Sequence, residues 1–158
     1  MSPGSMGRML EAADLLVSEG ARNVVFRRRA ISAAYYAIFH AVAKLCADYV
    51  ARSAHQGSED YQRVYRALDH GPMRNVFARP PFSVDERTRQ ISAAFLMLQA
   101  ERHRADYMPA MKGMFSVART KELVAVAREA VEDIEGIDAG DDFRRKLAIS
   151  LLFKERGW

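Results

Sequence analysis

The sequence predicts an all-α protein, an up-and-down four-helix bundle with additional short terminal helices. Apolar residues recur at three- and four-residue steps over long segments, the period of a helix with one buried face. Gly20, Gly71, Pro80, Pro81 and Pro109 fall between those segments and punctuate them. No stretch alternates apolar and polar residues as a half-buried strand does. The 158 residues suit one domain over 1–158 with a genuine core. The reading places that core at about 8–136 and an extra C-terminal helix at about 140–156.

The first helix is "RMLEAADLLVSE", residues 8–19, with apolar positions Leu10, Ala13, Leu15, Leu16 and Val17 and Gly20 to end it. The second runs from about Asn23 to Arg52. It starts very basic, with Arg27, Arg28 and Arg29, and is nearly uncharged from Ala30 to Ala43. A helix apolar on most sides lies at the centre of a fold. "SAHQGSED" breaks it, and "EDYQRVYRALDHG" reads as a third helix ending at Gly71, with Tyr61, Val64, Tyr65 and Leu68 on one face. "GPMRNVFARPPFS" reads as a connection. Ser83 and Glu86 form a capping-box pattern for a fourth helix, Val84 to about Tyr107, with Ile91, Phe95, Leu98 and Arg102 along one side. Pro109 closes it. Ser116 or Thr120 caps a fifth helix whose stripe is Leu123, Val124, Ala127, Val131 and Ile134. The tail "DFRRKLAISLLFKERGW" carries enough apolar residues to dock as one more helix.

Composition narrows the function. Hydrophobic residues make up 49% and charged residues 28%, ordinary globular values that exclude a disordered chain. The net charge of +4 permits RNA, DNA or a nucleotide as partner without requiring one. The single cysteine, Cys46, excludes an intrachain disulfide and a multi-cysteine metal site, and its apolar setting reads as a buried thiol. "MSPGSMGRML" has no apolar stretch of signal-peptide length, and no uncharged run reaches membrane-spanning length. The expectation is a soluble, cytoplasmic protein with no membrane partner.

Polar residues inside the apolar pattern mark the candidate site. Arg29, Tyr36 and His40 follow helical steps and line one side of the second helix, as candidate substrate-binding groups. Tyr35 and Phe39 form a neighbouring packing stripe. "QAERHRADYMP", residues 99–109, ends an otherwise apolar helix with Arg102, His103, Asp106 and Tyr107. Arg102 and Asp106 are four apart, as are His103 and Tyr107. An arginine grips a phosphate with two parallel hydrogen bonds. A histidine moves a proton near neutral pH. Such a set suits phosphodiester chemistry without a metal. The histidines His40, His55, His70 and His103 are scattered, with no metal-ligand spacing, no Gly-rich phosphate loop and no nucleophile elbow, so no metal or cofactor is expected. Arg63 and His70, seven apart, form a second and weaker Arg–His pair.

"RRRAISAAYYAIFHAVAKL" (27–45), His55 after a break, and "RHRADY" (102–107) resemble the HEPN family of small helical domains, over roughly residues 8–136. The likeness is to its small prokaryotic members with an RAYYAxFH-like second helix and an RxxADY-like later helix. That resemblance implies a homodimer in which the polar motif faces its copy across one composite cleft. It also implies a toxin-like, metal-independent endoribonuclease, with a nucleotidyltransferase antitoxin as a partner that modifies a tyrosine. Family nucleases carry an Arg followed after four to six residues by His. Arg102 fits the arginine, and Tyr107 stands where the histidine would be. In this reading Arg102, His103, Asp106 and Tyr107 are the catalytic set. The alternative is a noncatalytic module that binds a nucleotide, RNA or protein through the same cleft.

Overall fold

Alanine decides how α2 packs. In the computed structural model, which describes residues 5–109, 111–138 and 142–155, α2 spans Val24–Ala47. Ala30, Ala34, Ala37, Ala41, Ala43 and Ala47 along it are at most 3% exposed. Their small side chains let neighbouring elements come close to the backbone, and Ile31, Tyr35 and Ile38 fill the space between. The helical stretch Val24–His55 is long and apolar enough to cross a membrane, and 67% of its most apolar window is buried inside the fold.

The described residues form seven α-helices and short connecting pieces. They are α1 (Ser5–Glu19), α2, α3 (Glu59–Ala67), α4 (His70–Ala78), α5 (Arg89–Tyr107), α6 (Val117–Glu135) and α7 (Asp142–Leu152). Three-residue 3-10 turns occupy Gly20–Arg22 and Ser53–His55, and a π-helical turn, Asp48–Arg52, continues α2. The all-α expectation therefore holds among the described residues, and the four-helix bundle does not.

Much of the difference lies between residues 59 and 88. The predicted third helix is two helices. Leu68 and Asp69 are extended, which breaks the run, and α4 then grows through a stretch read as a connection. Pro72 permits this because it sits in the first turn of α4, where backbone N–H groups have no intrahelical acceptor. The fourth predicted helix starts late, at Arg89. Ser83 and Glu86 do not cap it. Instead the Asp85 carboxylate accepts from the Arg87 backbone N–H at 2.9 Å and holds a turn ahead of the helix. Thr88 and Ser92, both buried, donate to the Phe82 carbonyl. Of the two candidate caps for α6, Ser116 accepts from the Arg119 N–H. The predicted C-terminal helix appears as α7; residues 140, 141 and 156 of that prediction lie outside the described residues.

The chain divides into two compact units. The first is Met1–His40 with Ala94–Glu132, and the second is Ala41–Ala93 with Asp133–Trp158. In the first, Leu10, Ala13 and Val17 of α1, Tyr35 and Ile38 of α2, Phe95 and Leu98 of α5, and Leu123, Val124, Ala127 and Val131 of the predicted α6 stripe are buried; Ile134, also buried, belongs to the second unit. Leu15 of α1 is 63% exposed, so it does not join the buried side. Gly20 is required by close approach: a Cβ there would lie 2.9 Å from Arg27 Cγ. In the second, Tyr61, Met73, Phe77, Ile91, Phe143 and Leu147 form the core. Asp48, at the π-helical turn, accepts from the Tyr61 hydroxyl (2.6 Å) and the Lys44 ammonium (2.5 Å), tying α3 to the end of α2.

Candidate functional site

The first unit gathers the polar residues of α2 and α5. Tyr35 and Tyr36 are adjacent on α2 and meet edge to face, with ring centroids 5.3 Å apart. Arg102 of α5 comes in beside both. Its Nη1 donates to the Tyr36 hydroxyl at 3.1 Å, and its guanidinium carbon lies 5.0 Å from the Tyr35 ring centre and 5.6 Å from that of Tyr36. Asp106, one turn further along α5, places a carboxylate oxygen 3.7 Å from the same nitrogen. The Arg102 side chain is only 16% exposed. Two ring faces, a hydroxyl and a carboxylate thus fix its plane.

That fixing leaves polar atoms over. The Nε of Arg102 is buried with no hydrogen-bond partner, as is the Oε1 of Gln99 one turn before it. Arg102 Nη2 also makes no hydrogen bond among the described residues. Tyr35 is fully buried, and burial pushes its hydroxyl up to about 12, against the smaller opposing pull of Arg102 and a hydrogen bond with Gln99. His40 packs against Tyr36 and Phe39, with centroid distances of 6.4 and 5.9 Å. Burial holds its pKa below the ordinary histidine value, so the ring is neutral at neutral pH.

The predicted site residues separate into two groups. Arg102, Asp106 and Tyr36 come together, with His40 against Tyr36. His103 and Tyr107 pair with each other instead, their rings 5.0 Å apart, on an exposed side of α5 where Tyr107 is 66% exposed. The helix accounts for this: successive side chains point about 100° apart, so His103 cannot share the direction of Arg102. Arg29 is exposed, two turns before Tyr36 on α2.

The other two arginines of the basic run, Arg27 and Arg28, point to neighbouring backbone. Arg28 Nη1 donates to the Ala105 and Met108 carbonyls (3.2 and 2.7 Å) at the end of α5, where the last turn has no backbone donors of its own. Arg27 clamps the Gly20 carbonyl (2.5 Å) and the Phe115 carbonyl (2.7 Å). The loop reaches Arg27 by turning at Gly113 (φ +81°) and Phe115 (φ +56°), and Phe115 lies under the guanidinium groups of Arg28 and Arg104. Sequence reasoning also passed over Tyr35 and Gln99 as site residues. Gln99 gives a signal, as a polar residue three positions before Arg102 within an apolar run.

Among the described residues, no three His, Cys, Asp or Glu side chains come together in a metal-binding group. The chain matches no family model, no curated protein and no solved structure. The site is therefore read from its own chemistry. It offers an oriented guanidinium with spare donors, two phenols, and an imidazole held neutral.

Proposed function

We propose that the chain is a HEPN-like module of the cytoplasm that works as a homodimer and binds the phosphate of an RNA or a nucleotide at Arg102. One observation carries this reading: the guanidinium is oriented by Tyr35, Tyr36 and Asp106 while its Nη2 stays uncommitted among the described residues. A guanidinium already held in plane loses little freedom when a phosphate docks. Asp106 limits the attraction, since its carboxylate offsets part of the positive charge. Binding without turnover is the reading favoured by the position of Tyr107, which stands in the histidine place of the resembled nucleases and pairs with His103 away from Arg102.

A second reading is the endoribonuclease itself, cutting RNA without metal. His40 favours it, because a neutral imidazole beside Tyr36 is the form that accepts a proton from a ribose 2′-hydroxyl. If a nucleotidyltransferase antitoxin partners this chain, the exposed Tyr107 is the accessible acceptor. The deciding experiment uses labelled RNAs in EDTA with wild type and Arg102→Ala, scoring binding and cleavage on samples checked for helicity and dimer mass. Binding lost in the variant, with no cleavage by either protein, supports the binding module. Cleavage by wild type alone supports the nuclease. RNA binding and cleavage that are both unaffected by Arg102→Ala would overturn both.

A further inference from the structure

The second unit carries a groove that the phosphate reading does not use. It encloses about 620 Å³ between α4, the segment after it, and the end of α7. That is within the range of about 300–1,000 Å³ typical of small-molecule clefts. Its walls are apolar: Pro72 and Val76 of α4, Pro81 and Phe82 after it, Ile149 of α7 and Phe153 just beyond. Ile149 and Phe153 are 51% and 66% exposed, so a large apolar surface faces the groove and solvent together. The lining also includes two cations, Arg79 and Lys154, and neither makes an ion pair or donates a side-chain hydrogen bond among the described residues. One carboxylate, Glu155, opposes them, and Asn75 and Ser150 add neutral hydrogen-bonding groups.

We infer that this groove binds an anionic amphiphile, an aliphatic chain ending in a carboxylate, with the chain along the proline and phenylalanine walls and the carboxylate at Arg79 and Lys154. The walls supply the apolar burial that holds a hydrocarbon chain. The two uncommitted cations select the head group, since an exposed arginine and lysine in the lining prefer a carboxylate over a neutral or cationic end. The site is independent of Arg102 and stands whether or not the chain binds RNA.

The test is calorimetric titration of the full chain with decanoate, decanol and decyltrimethylammonium, each below its aggregation concentration. Decanoate is expected to saturate one site per chain and to bind at least about tenfold more tightly than decanol, the margin of one charge-assisted hydrogen bond. Arg79→Ala and Lys154→Ala should each remove most of that margin while leaving decanol unchanged, and Phe153→Ser should weaken both ligands. All three side chains are exposed, so the fold survives, which circular dichroism checks on the same samples. Equal affinity for the three head groups, or absence of a saturable site, overturns the inference. So does a wild-type dimer that Phe153→Ser converts to monomer, because a second copy would then occupy the groove.

Discussion

Arg102 and Tyr36 stand 66 positions apart in sequence and share a 3.1 Å hydrogen bond, with the guanidinium also lying against the Tyr36 and Tyr35 rings. The contact joins α2 to α5 within one unit and sets the plane of the one arginine that both functional readings need. Two kinds of interaction are combined in it: a directed hydrogen bond, and a cation held near aromatic faces.

The first prediction separates these contributions. Tyr36→Phe keeps the ring and removes the hydroxyl, so it should destabilise the protein by about 1 kcal/mol, the usual net worth of one hydrogen bond. Combined with Arg102→Ala in a double-mutant cycle, the two changes should couple by roughly 0.5–3 kcal/mol, as residues in direct contact do. Urea unfolding of the four proteins measures it. Strict additivity would mean that the two side chains do not meet in solution.

A second prediction concerns Arg28. Its Nη1 serves the Ala105 and Met108 carbonyls, and Ala105 is buried. Arg28→Ala should therefore cost about 1–3 kcal/mol of stability, the penalty for leaving a buried acceptor unpaired. RNA affinity, measured where the variant is fully folded, should change little. The opposite pattern, a stable variant with weakened RNA binding, would place Arg28 on the phosphate instead.

These two arginines show what the sequence could and could not reveal. Periodicity found the buried faces of α5 and α6, because Ile91, Phe95, Leu98 and the Leu123 to Ile134 stripe are apolar at a strict helical step. It did not find the break at Leu68 and Asp69. Neither residue is a helix breaker, and the extended backbone there reflects packing of Leu68 into the core. Pro72 gave a misleading signal, since proline marks a loop and a first helical turn equally well. In the site, the four-residue step brought Arg102 to Asp106, but no local pattern says that Arg28 turns inward while Arg29 faces solvent. That depends on where the α5 carbonyls end, which is tertiary information.

The third prediction is a bounded pH range of stability. Tyr35 and Cys46 are both pushed up to about 12, chiefly by burial, and Tyr61 is also raised, by burial and then by Asp48. For an acid whose folded pKa lies above its unfolded value, the stabilisation is fully present below the unfolded pKa and is lost as pH rises through the folded one. Loss should thus begin above about pH 9, where an unfolded cysteine titrates, and deepen above about pH 10, where unfolded tyrosines do. His40 works from the other side. Its folded pKa is lowered by burial, so its contribution is present above about pH 6.5 and is lost as pH falls through the folded value. Urea midpoints from pH 5 to 11 should show a plateau between these limits. His40→Gln should flatten the acidic flank and leave the alkaline one in place; an unchanged acidic flank would assign it to another group.

The fourth prediction runs against the usual expectation for a buried ionic residue. Arg144 of α7 is 8% exposed, and among the described residues it has no carboxylate partner. Its contacts are a 3.3 Å hydrogen bond to the Leu45 carbonyl, near the point where α2 passes into the π-helical turn, and proximity to the buried Cys46 thiol. Its Nε is buried without an acceptor. Removing a guanidinium from water is costly, and one long hydrogen bond offsets little of that cost. Methionine keeps the length and apolar stem and removes the charge. Arg144→Met should therefore leave the unfolding free energy level or raise it by up to about 4 kcal/mol, as when buried ion clusters elsewhere are replaced by packed apolar side chains. It should also push the Cys46 thiol still higher, because the nearby positive charge now favours the thiolate. Both effects are read on one sample, by unfolding and by the rate of thiol labelling at high pH. A loss of 2 kcal/mol or more would falsify this account and make the Leu45 contact the anchor of α7.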